Sequence, residues 1–420
     1  MKKRNITNLR WFNRLLRWTF GRWLQSAYVL RAEGTELFKT LRPPYVLVAN
    51  HVTTRDPFFL SIYIPQPVYW ISSDSNMRTS VMRWLLRLVG TIPKSKVIPD
   101  IETVNEIVQV IRRQKGVVGL FPEGAQSWNG GPLPMFPSTG KLLKLLKVPV
   151  VGATISGGYF ALPRWTWKRR HGQVRIKFQQ LFSAADCETL SAEDLFTVMR
   201  TALSHDDFDD PDLAGIPYRS GKRAEHLELA LYLCPDCESL GGLRSRGNHL
   251  YCTVCGSAWS VDAHYRICTR STHNRTFASI PEWDAWQSRT LLALLQQQVE
   301  GDKNARTGNE GVETKDQSEK SFSRPVFSDP GALLLRGYRS KALRQIRTGT
   351  LVLYPDRLEL ATILGQRLVF PLNELDGITV LKRNLLEFYQ GKNLYQVRFP
   401  FRYMSARKWA DSMEALQKIL

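Results

Sequence analysis

The sequence predicts an α/β domain, then a small metal-bound module, then a β-rich C-terminal domain. Three observations carry this. Between residues 34 and 200, short apolar runs alternate with stretches of helical period, as in a sheet with helices on its faces. Two C-x-x-C pairs follow, Cys234/Cys237 and Cys252/Cys255, with fourteen residues between them. From residue 331, short apolar runs and turn residues succeed one another until a final helical stretch.

The bulk composition narrows the function classes. A chain of 420 residues with 43% hydrophobic content can bury the cores of two or three domains. Its net charge of +20 favours anionic partners. Twelve tryptophans amid that charge point to a membrane surface, where indole rings sit at headgroup level. No apolar run is long enough to span a bilayer. Arg10, Arg14, Arg17 and Arg22 break any signal-peptide core, so the expected location is the cytoplasmic side of a membrane, peripherally bound.

Residues 1–33 are expected to form an amphipathic membrane-interface element. Leu9, Phe12, Leu16, Phe20, Trp23 and Leu24 recur at helical spacing over residues 8–31, with Trp11, Trp18 and Tyr28 at the edges of the stripe. No acid precedes Glu33, the charge profile of a helix lying in a lipid interface; the alternative is packing on the protein's own core.

The α/β domain is assigned to residues 34–225. Strands are expected at Tyr45–Val48, Val68–Ser72, Val117–Phe121, Val148–Ile155 and Gln173–Phe178. Helices are expected at Phe58–Tyr63, Arg78–Val89, Ile101–Arg113 and Thr139–Leu146. The stripe Met77, Val81, Trp84, Leu85 and Leu88 reads as buried core, with membrane contact as the alternative.

Residues 226–290 form the metal module. Cys234, Cys237, Cys252 and Cys255 have zinc-ribbon spacing, and four thiolates close a tetrahedral shell, so the zinc is structural. Cys187 and Cys268 lack partners at ligand spacing. Residues 300–330 lose hydrophobic period and read as a flexible linker. In 331–420, eight strand candidates run from Leu333–Leu335 to Tyr395–Phe399, and a helix with Trp409, Met413 and Leu416 on one face closes the chain. This order resembles a pleckstrin-homology (PH) or GRAM-like domain.

The chemistry concentrates in two segments that each follow an apolar run. In the first, four residues separate His51 from Asp56. Such a carboxylate can hold one ring nitrogen and leave the other to take a proton from an alcohol. The second, Phe121-Pro122-Glu123-Gly124, brings a carboxylate to the same edge.

Four blocks in order then give a resemblance. Asn50-His51-x4-Asp56, Gly90–Lys96, Phe121–Gly124 and Val148–Val151 resemble the blocks of the PlsC-type glycerophospholipid acyltransferases, over less than half of the chain. The resemblance implies an O-acyltransferase without a catalytic cofactor. His51 would be the general base and Asp56 its orienting partner, while Lys94, Lys96, Phe121, Pro122, Glu123 and Gly124 bind substrate. The implied partners are acyl-CoA or acyl carrier protein, a lysophospholipid of the lysophosphatidic acid type, and an anionic membrane surface. Nucleic acid is not expected.

Three departures bear on the acceptor. The second block lacks its usual arginine. The third continues Ala125-Gln126-Ser127 instead of through threonine and arginine. The fourth has Gly152 where a proline is usual. Other acceptors (glycerol 3-phosphate, a lyso-aminolipid, a glycolipid) therefore stay open, as does an inactive membrane- or nucleic-acid-binding protein.

Overall fold

Parallel strands covered on both faces are apolar throughout, and this is how the centre of the first sheet is built. The computed structural model describes residues 8–95, 101–269, 275–307, 322, 324–338 and 341–420. The first sheet has seven strands: β1 (Val29–Glu33), β2 (Tyr45–Ala49), β3 (Val68–Ser73), β4 (Ile92–Lys94), β5 (Val117–Leu120), β6 (Val150–Ser156) and β7 (Gln173–Phe182). Their order is β1-β7-β6-β2-β5-β3-β4. Strands β6, β2, β5, β3 and β4 run parallel, and only the β6–β7 pairing is antiparallel. Every residue of β2 and β5 is buried. Val46, Val48, Val118 and Val150 share one core with Ile107, Val110, Leu143, Leu195 and Met199 from the covering helices.

The five expected strands and four expected helices of this domain are present, displaced by a few residues at their ends. Three features differ from expectation. The N-terminal helix ends at Ala27, and Val29–Glu33 turns outward to pair in parallel with β7 as an edge strand. Helices at Ala184–Thr189 and Ala192–Leu203 complete one face, each opened by a capping box, Ser183 with Asp186 and Ser191 with Asp194. The stripe expected as buried core is core only in part: Met77 is buried just before the helix Ser80–Leu88, Leu85 and Leu88 are half-buried, and Val81 and Trp84 are exposed.

The N-terminal helix runs through Arg10–Leu16, a π-turn at Arg17–Gly21, and Arg22–Ala27. It divides its apolar residues. Leu24 and Ala27 are buried, whereas Trp11, Trp18 and Trp23 face solvent. The Leu9 amide donates to the Leu88 carbonyl at 3.0 Å, which sets the start of this helix beside the end of Ser80–Leu88.

Contacts divide the chain into two units. The first runs up to Gly221 and also takes in Ala263–Tyr265; the second is Lys222–Asp262 with Arg266–Leu420. Within the first unit Tyr265 is wholly buried, its ring 4.7 Å from that of Phe160 and beneath the Arg170 guanidinium at 5.1 Å. Its hydroxyl donates to the Phe160 carbonyl.

The second unit joins three parts. Strands β8 (Leu243–Arg246), β9 (His249–Cys252), β10 (Ala258–Val261) and β11 (Ile267–Thr269) form an antiparallel sheet in the order β11-β10-β9-β8. A helix of 28 residues, Ile280–Thr307, follows. It covers the first eight positions of the segment expected as a linker, whose residues 308–321 and 323 lie outside the described residues. The third part is a seven-stranded antiparallel sheet: β12 (Phe327–Gly337), β13 (Arg344–Leu353), β14 (Arg357–Ala361), β15 (Arg367–Pro371), β16 (Leu375–Leu381), β17 (Leu385–Gln390) and β18 (Asn393–Arg398). It is closed by the helix Ala406–Ile419. Two of the eight strand candidates, Gln345–Arg347 and Thr350–Tyr354, belong to the single strand β13.

These parts are not separate beads. Gln287 on the long helix accepts from the Tyr232 and Leu233 amides at 2.7 and 3.0 Å. Trp283 meets Trp259 of β10 edge to face at 4.8 Å. From the closing helix, Arg407 pairs with Asp284 at 2.9 Å, and the Tyr232 hydroxyl donates to Asp411 at 2.7 Å.

Candidate active site

In an open α/β sheet, chemistry collects where parallel strands end. Here β2 and β5 are neighbours in register, with Val48 opposite Leu120. The loops after them, carrying His51 and Phe121–Gly124, therefore emerge side by side. Lys94 lies at the same edge, opposite Ser73 at the end of β3.

His51 Nδ1 lies 2.8 Å from Asp56 Oδ2. That bond leaves Nε2 as the nitrogen able to receive a proton. Asp56 opens the helix Asp56–Tyr63 and is wholly buried. The bend before the helix satisfies it. The Val52 and Thr53 amides donate to Oδ2 at 2.8 and 2.9 Å, and the Thr53 hydroxyl donates to Oδ1 at 2.8 Å. A buried carboxylate with this many donors stays in place whether or not the imidazole is charged. Asn50 ties the loop to β6: its amide donates to the Ile155 carbonyl at 2.9 Å and accepts from the Ile155 amide at 2.8 Å.

The imidazole is also fixed from beneath. Its ring stacks on Phe121 at 4.2 Å and 19°, and Phe121 stacks on Trp70 at 5.1 Å and 10°. The Trp70 indole N–H donates to Ser61 Oγ at 3.1 Å, on the helix that Asp56 begins. Thr53 and Trp70 were missed by sequence reasoning. Thr53-x-x-Asp56 has capping-box spacing and was detectable; Trp70 gave no local signal.

Glu123 is buried, and its Oε1 accepts the His51 backbone N–H at 3.3 Å. Burial pushes its carboxyl up to about 8; the His51 amide pulls the other way, and the nearby Asp56 charge adds to the rise. The sign of the consequence follows. Folded protein holds this proton more tightly than unfolded chain, so stability falls as pH rises from about 4.5 to about 8, by at most about 1.4 kcal/mol per pH unit. Glu123→Gln is expected to flatten that slope in urea unfolding. The variant gains on wild type near pH 8 and not near pH 5; an equal difference at both pH values would mean that Glu123 is ionised throughout.

The other expected substrate residues are placed as follows. Pro122 is buried, and Gly124 is exposed at φ 67°, where an added Cβ would lie 2.6 Å from the Phe136 ring. The Gly124 amide donates to the Phe121 carbonyl at 3.0 Å, so the turn itself already uses that N–H. Lys94 is exposed, its Nζ 5.0 Å from the centre of the same Phe136 ring. Lys96 lies outside the described residues. His51, Asp56, Phe121 and Glu123 thus meet directly, and Gly124 and Lys94 share Phe136.

In the second unit the Sγ atoms of Cys234, Cys237, Cys252 and Cys255 lie within 4.8 Å of one another. The pairs Cys234–Cys255 and Cys237–Cys252 are each 3.7 Å apart. Tetrahedral zinc with Zn–S bonds of about 2.3 Å needs sulfurs about 3.8 Å apart, so the thiols fit the ion.

Residues 29–156 match the family model described as Acyltransferase. A 1-acyl-sn-glycerol-3-phosphate acyltransferase of Saccharomyces cerevisiae is 28% identical over 119 residues, covering 27% of this chain and 39% of the yeast protein. The chain thus spans about two fifths of the length of that relative. The crystal structure of the 1-acyl-sn-glycerophosphate (LPA) acyltransferase PlsC from Thermotoga maritima matches 41% of this chain and 68% of its own, at 20% identity and a TM-score of 0.36. No helix among the described residues is long and apolar enough to cross a membrane.

Proposed function

We propose, on the premise that residues 29–156 belong to the PlsC-type acyltransferase family, that the protein moves a fatty acyl chain onto the free hydroxyl of a lysophospholipid. The donor is acyl-CoA or acyl carrier protein. The observation that carries this is the His51–Asp56 pair, with Nε2 left to act at the edge where the parallel strands end.

The steps use only side chains of this chain. Nε2 takes the hydroxyl proton as the oxygen attacks the thioester carbonyl. Asp56 holds the tautomer and stabilises the imidazolium. The C–S bond breaks, and the leaving thiolate recovers the proton from His51. Glu123, protonated near neutral pH, holds the His51 loop by its amide. Lys94 supplies charge to the acceptor phosphate. Purified protein given acyl-CoA and a panel of lysolipids is expected to release free CoA thiol with a lysophospholipid acceptor. No thiol release with any acceptor, from either donor, would overturn the reading.

The second unit is read as a zinc ribbon bound to a PH/GRAM-like domain, with the ion structural. Membrane attachment is assigned to the first unit, where Trp11, Trp18 and Trp84 are each more than half exposed on two basic helices whose ends meet. A Trp11→Ser, Trp18→Ser, Trp84→Ser variant is expected to lose at least about tenfold in affinity for anionic vesicles, since each indole buries a large apolar surface. Unchanged sedimentation with vesicles would remove that face from the membrane.

A further inference from the structure

Three segments of the first unit bring two cations to one indole. Arg55, in the bend between His51 and Asp56, places its guanidinium 4.9 Å from the centre of the Trp23 ring and 5.8 Å from that of Phe20. Arg169, in the loop before β7, reaches the same indole at 5.9 Å, and its Nη1 donates to the Ala27 carbonyl at 2.6 Å. Phe20 stacks on Trp23 at 5.2 Å, and Phe58 meets Phe20 edge to face at 5.0 Å. Neither arginine has a carboxylate partner among the described residues. Asp56, next to Arg55 in the chain, already accepts from the Val52 and Thr53 amides and the Thr53 hydroxyl, and it holds His51.

Two buried polar atoms at this cluster are unsatisfied. Tyr28 is 1% exposed, and its hydroxyl has no partner at hydrogen-bond geometry. Arg55 Nε is buried in the same condition. Burial raises the pKa of Tyr28, and the charges of Arg55 and Arg169 act against that rise, so the hydroxyl and both cations share one neighbourhood. The groups are held from behind. The Tyr28 ring packs edge to face on Phe59 at 5.1 Å, and the Arg55 amide donates to the Thr53 hydroxyl at 2.9 Å. Like charges near one ring, beside buried donors without acceptors, destabilise an empty cluster. An oxyanion reverses both effects, because its oxygens accept from the guanidinium forks and from the hydroxyl together.

We infer that Arg55, Arg169 and Tyr28 hold the phosphate group of a membrane phospholipid. The rim of the cluster argues for that source. Trp23 and Phe58 are each more than two fifths exposed, and Trp23 belongs to the helical stretch that also presents Trp11 and Trp18. Indole rings beside cations match the headgroup layer of a bilayer. A phosphate held there touches the residue before Asp56, which brings the lipid surface to the bend that carries His51. The inference rests on the assignment of membrane attachment to the first unit and narrows it to one headgroup site.

Full-length protein is sedimented with vesicles of digalactosyl diacylglycerol, which carry no phosphate, and with the same vesicles containing phosphatidylglycerol. Wild type is expected to bind the second more tightly. The double variant Arg55→Gln, Arg169→Gln is expected to bind the phosphatidylglycerol vesicles at least about tenfold more weakly than wild type, one charge-assisted hydrogen bond being worth that much. Tyr28→Phe is expected to lose about tenfold on the same vesicles and to melt no lower than wild type, because its hydroxyl has no partner to lose. Arg14→Gln, Arg22→Gln removes the same charge from exposed positions of the N-terminal helical stretch and is expected to lose less, since diffuse attraction is screened by salt.

Equal losses from the two arginine pairs mean diffuse attraction and overturn the site. Unchanged vesicle binding by Tyr28→Phe overturns it, as does a lower melting temperature of that variant, which would give the hydroxyl a structural partner. No binding of wild type to either vesicle removes membrane attachment and the site with it; undiminished binding by the double variant removes the site alone. Release of wild type from the phosphatidylglycerol vesicles by free coenzyme A assigns the cluster to a soluble phosphate and overturns the lipid assignment. None of these readouts uses acyl transfer, so failure of the acyltransferase reading and failure of the site are told apart.

Discussion

His51→Ala is expected to lower acyl-thioester turnover by about 10²–10⁴-fold, the usual contribution of a positioned general base, with little change in melting temperature. The second half of that expectation comes from the surroundings of Asp56. Its carboxylate keeps the Val52 and Thr53 amides and the Thr53 hydroxyl after the imidazole is gone. No buried charge is stranded, so the loop has no reason to refold. Asp56→Ala differs in kind. It removes the imidazole's partner and leaves the Val52 and Thr53 amides, both on buried residues, without their acceptor. Each stranded donor costs about 1–3 kcal/mol. Turnover and stability should therefore fall together in Asp56→Ala and separate in His51→Ala. Near-wild-type thiol release by His51→Ala would end the general-base assignment, and a melting temperature that falls as far as that of Asp56→Ala would show that the imidazole is structural.

Cys234→Ser is expected to remove bound zinc and to destabilise the second unit. Zinc in small modules carries about 10–16 kcal/mol of apparent binding energy in isolated fingers. Here part of the framework is held independently, by Gln287 on the Tyr232 and Leu233 amides and by Trp283 against Trp259. The loss is therefore partial rather than total. A melting transition lower by about 10 °C corresponds to roughly 3–5 kcal/mol at this size. The checks are metal content by mass spectrometry and a melt with and without chelator. Absence of zinc from protein purified without chelator would refute the assignment. The same melting temperature in the variant would show that the helix and sheet hold the module unaided.

What was legible in the sequence follows from what each element buries. The strands β2 and β5 are covered on both faces, so they read as unbroken apolar runs and were located to within a residue. The H-x4-D block was legible because both partners sit in one short bend. The stack from Trp70 through Phe121 to His51 was not, since it joins residues from three separate segments by sheet neighbourhood alone. The stripe from Met77 to Leu88 was detected, but helical period does not say what covers a face: Met77 is buried, whereas Val81 and Trp84 face solvent. Val29–Glu33 was read into the preceding helix because the apolar residues continue without a break. The long helix Ile280–Thr307 went unrecognised because its latter half is polar and runs on into the Gly- and Lys-rich segment. Its role in holding Tyr232 and Leu233 depends on pairs more than fifty residues apart.

Tyr265 has a consequence for how this polypeptide can be cut or recombined. The ring that completes the packing around Phe160 and Arg170 is encoded beyond Cys255, the last of the four clustered cysteines. An excised fragment ending at Gly221 lacks that stopper and leaves a hole lined by aromatic carbon. Any graft of the first unit onto another partner has to bring Ala263–Tyr265, or a substitute of like volume, back along a return loop. The first unit is thus completed by a there-and-back excursion of the backbone, and a single crossover point in the gene would sever it.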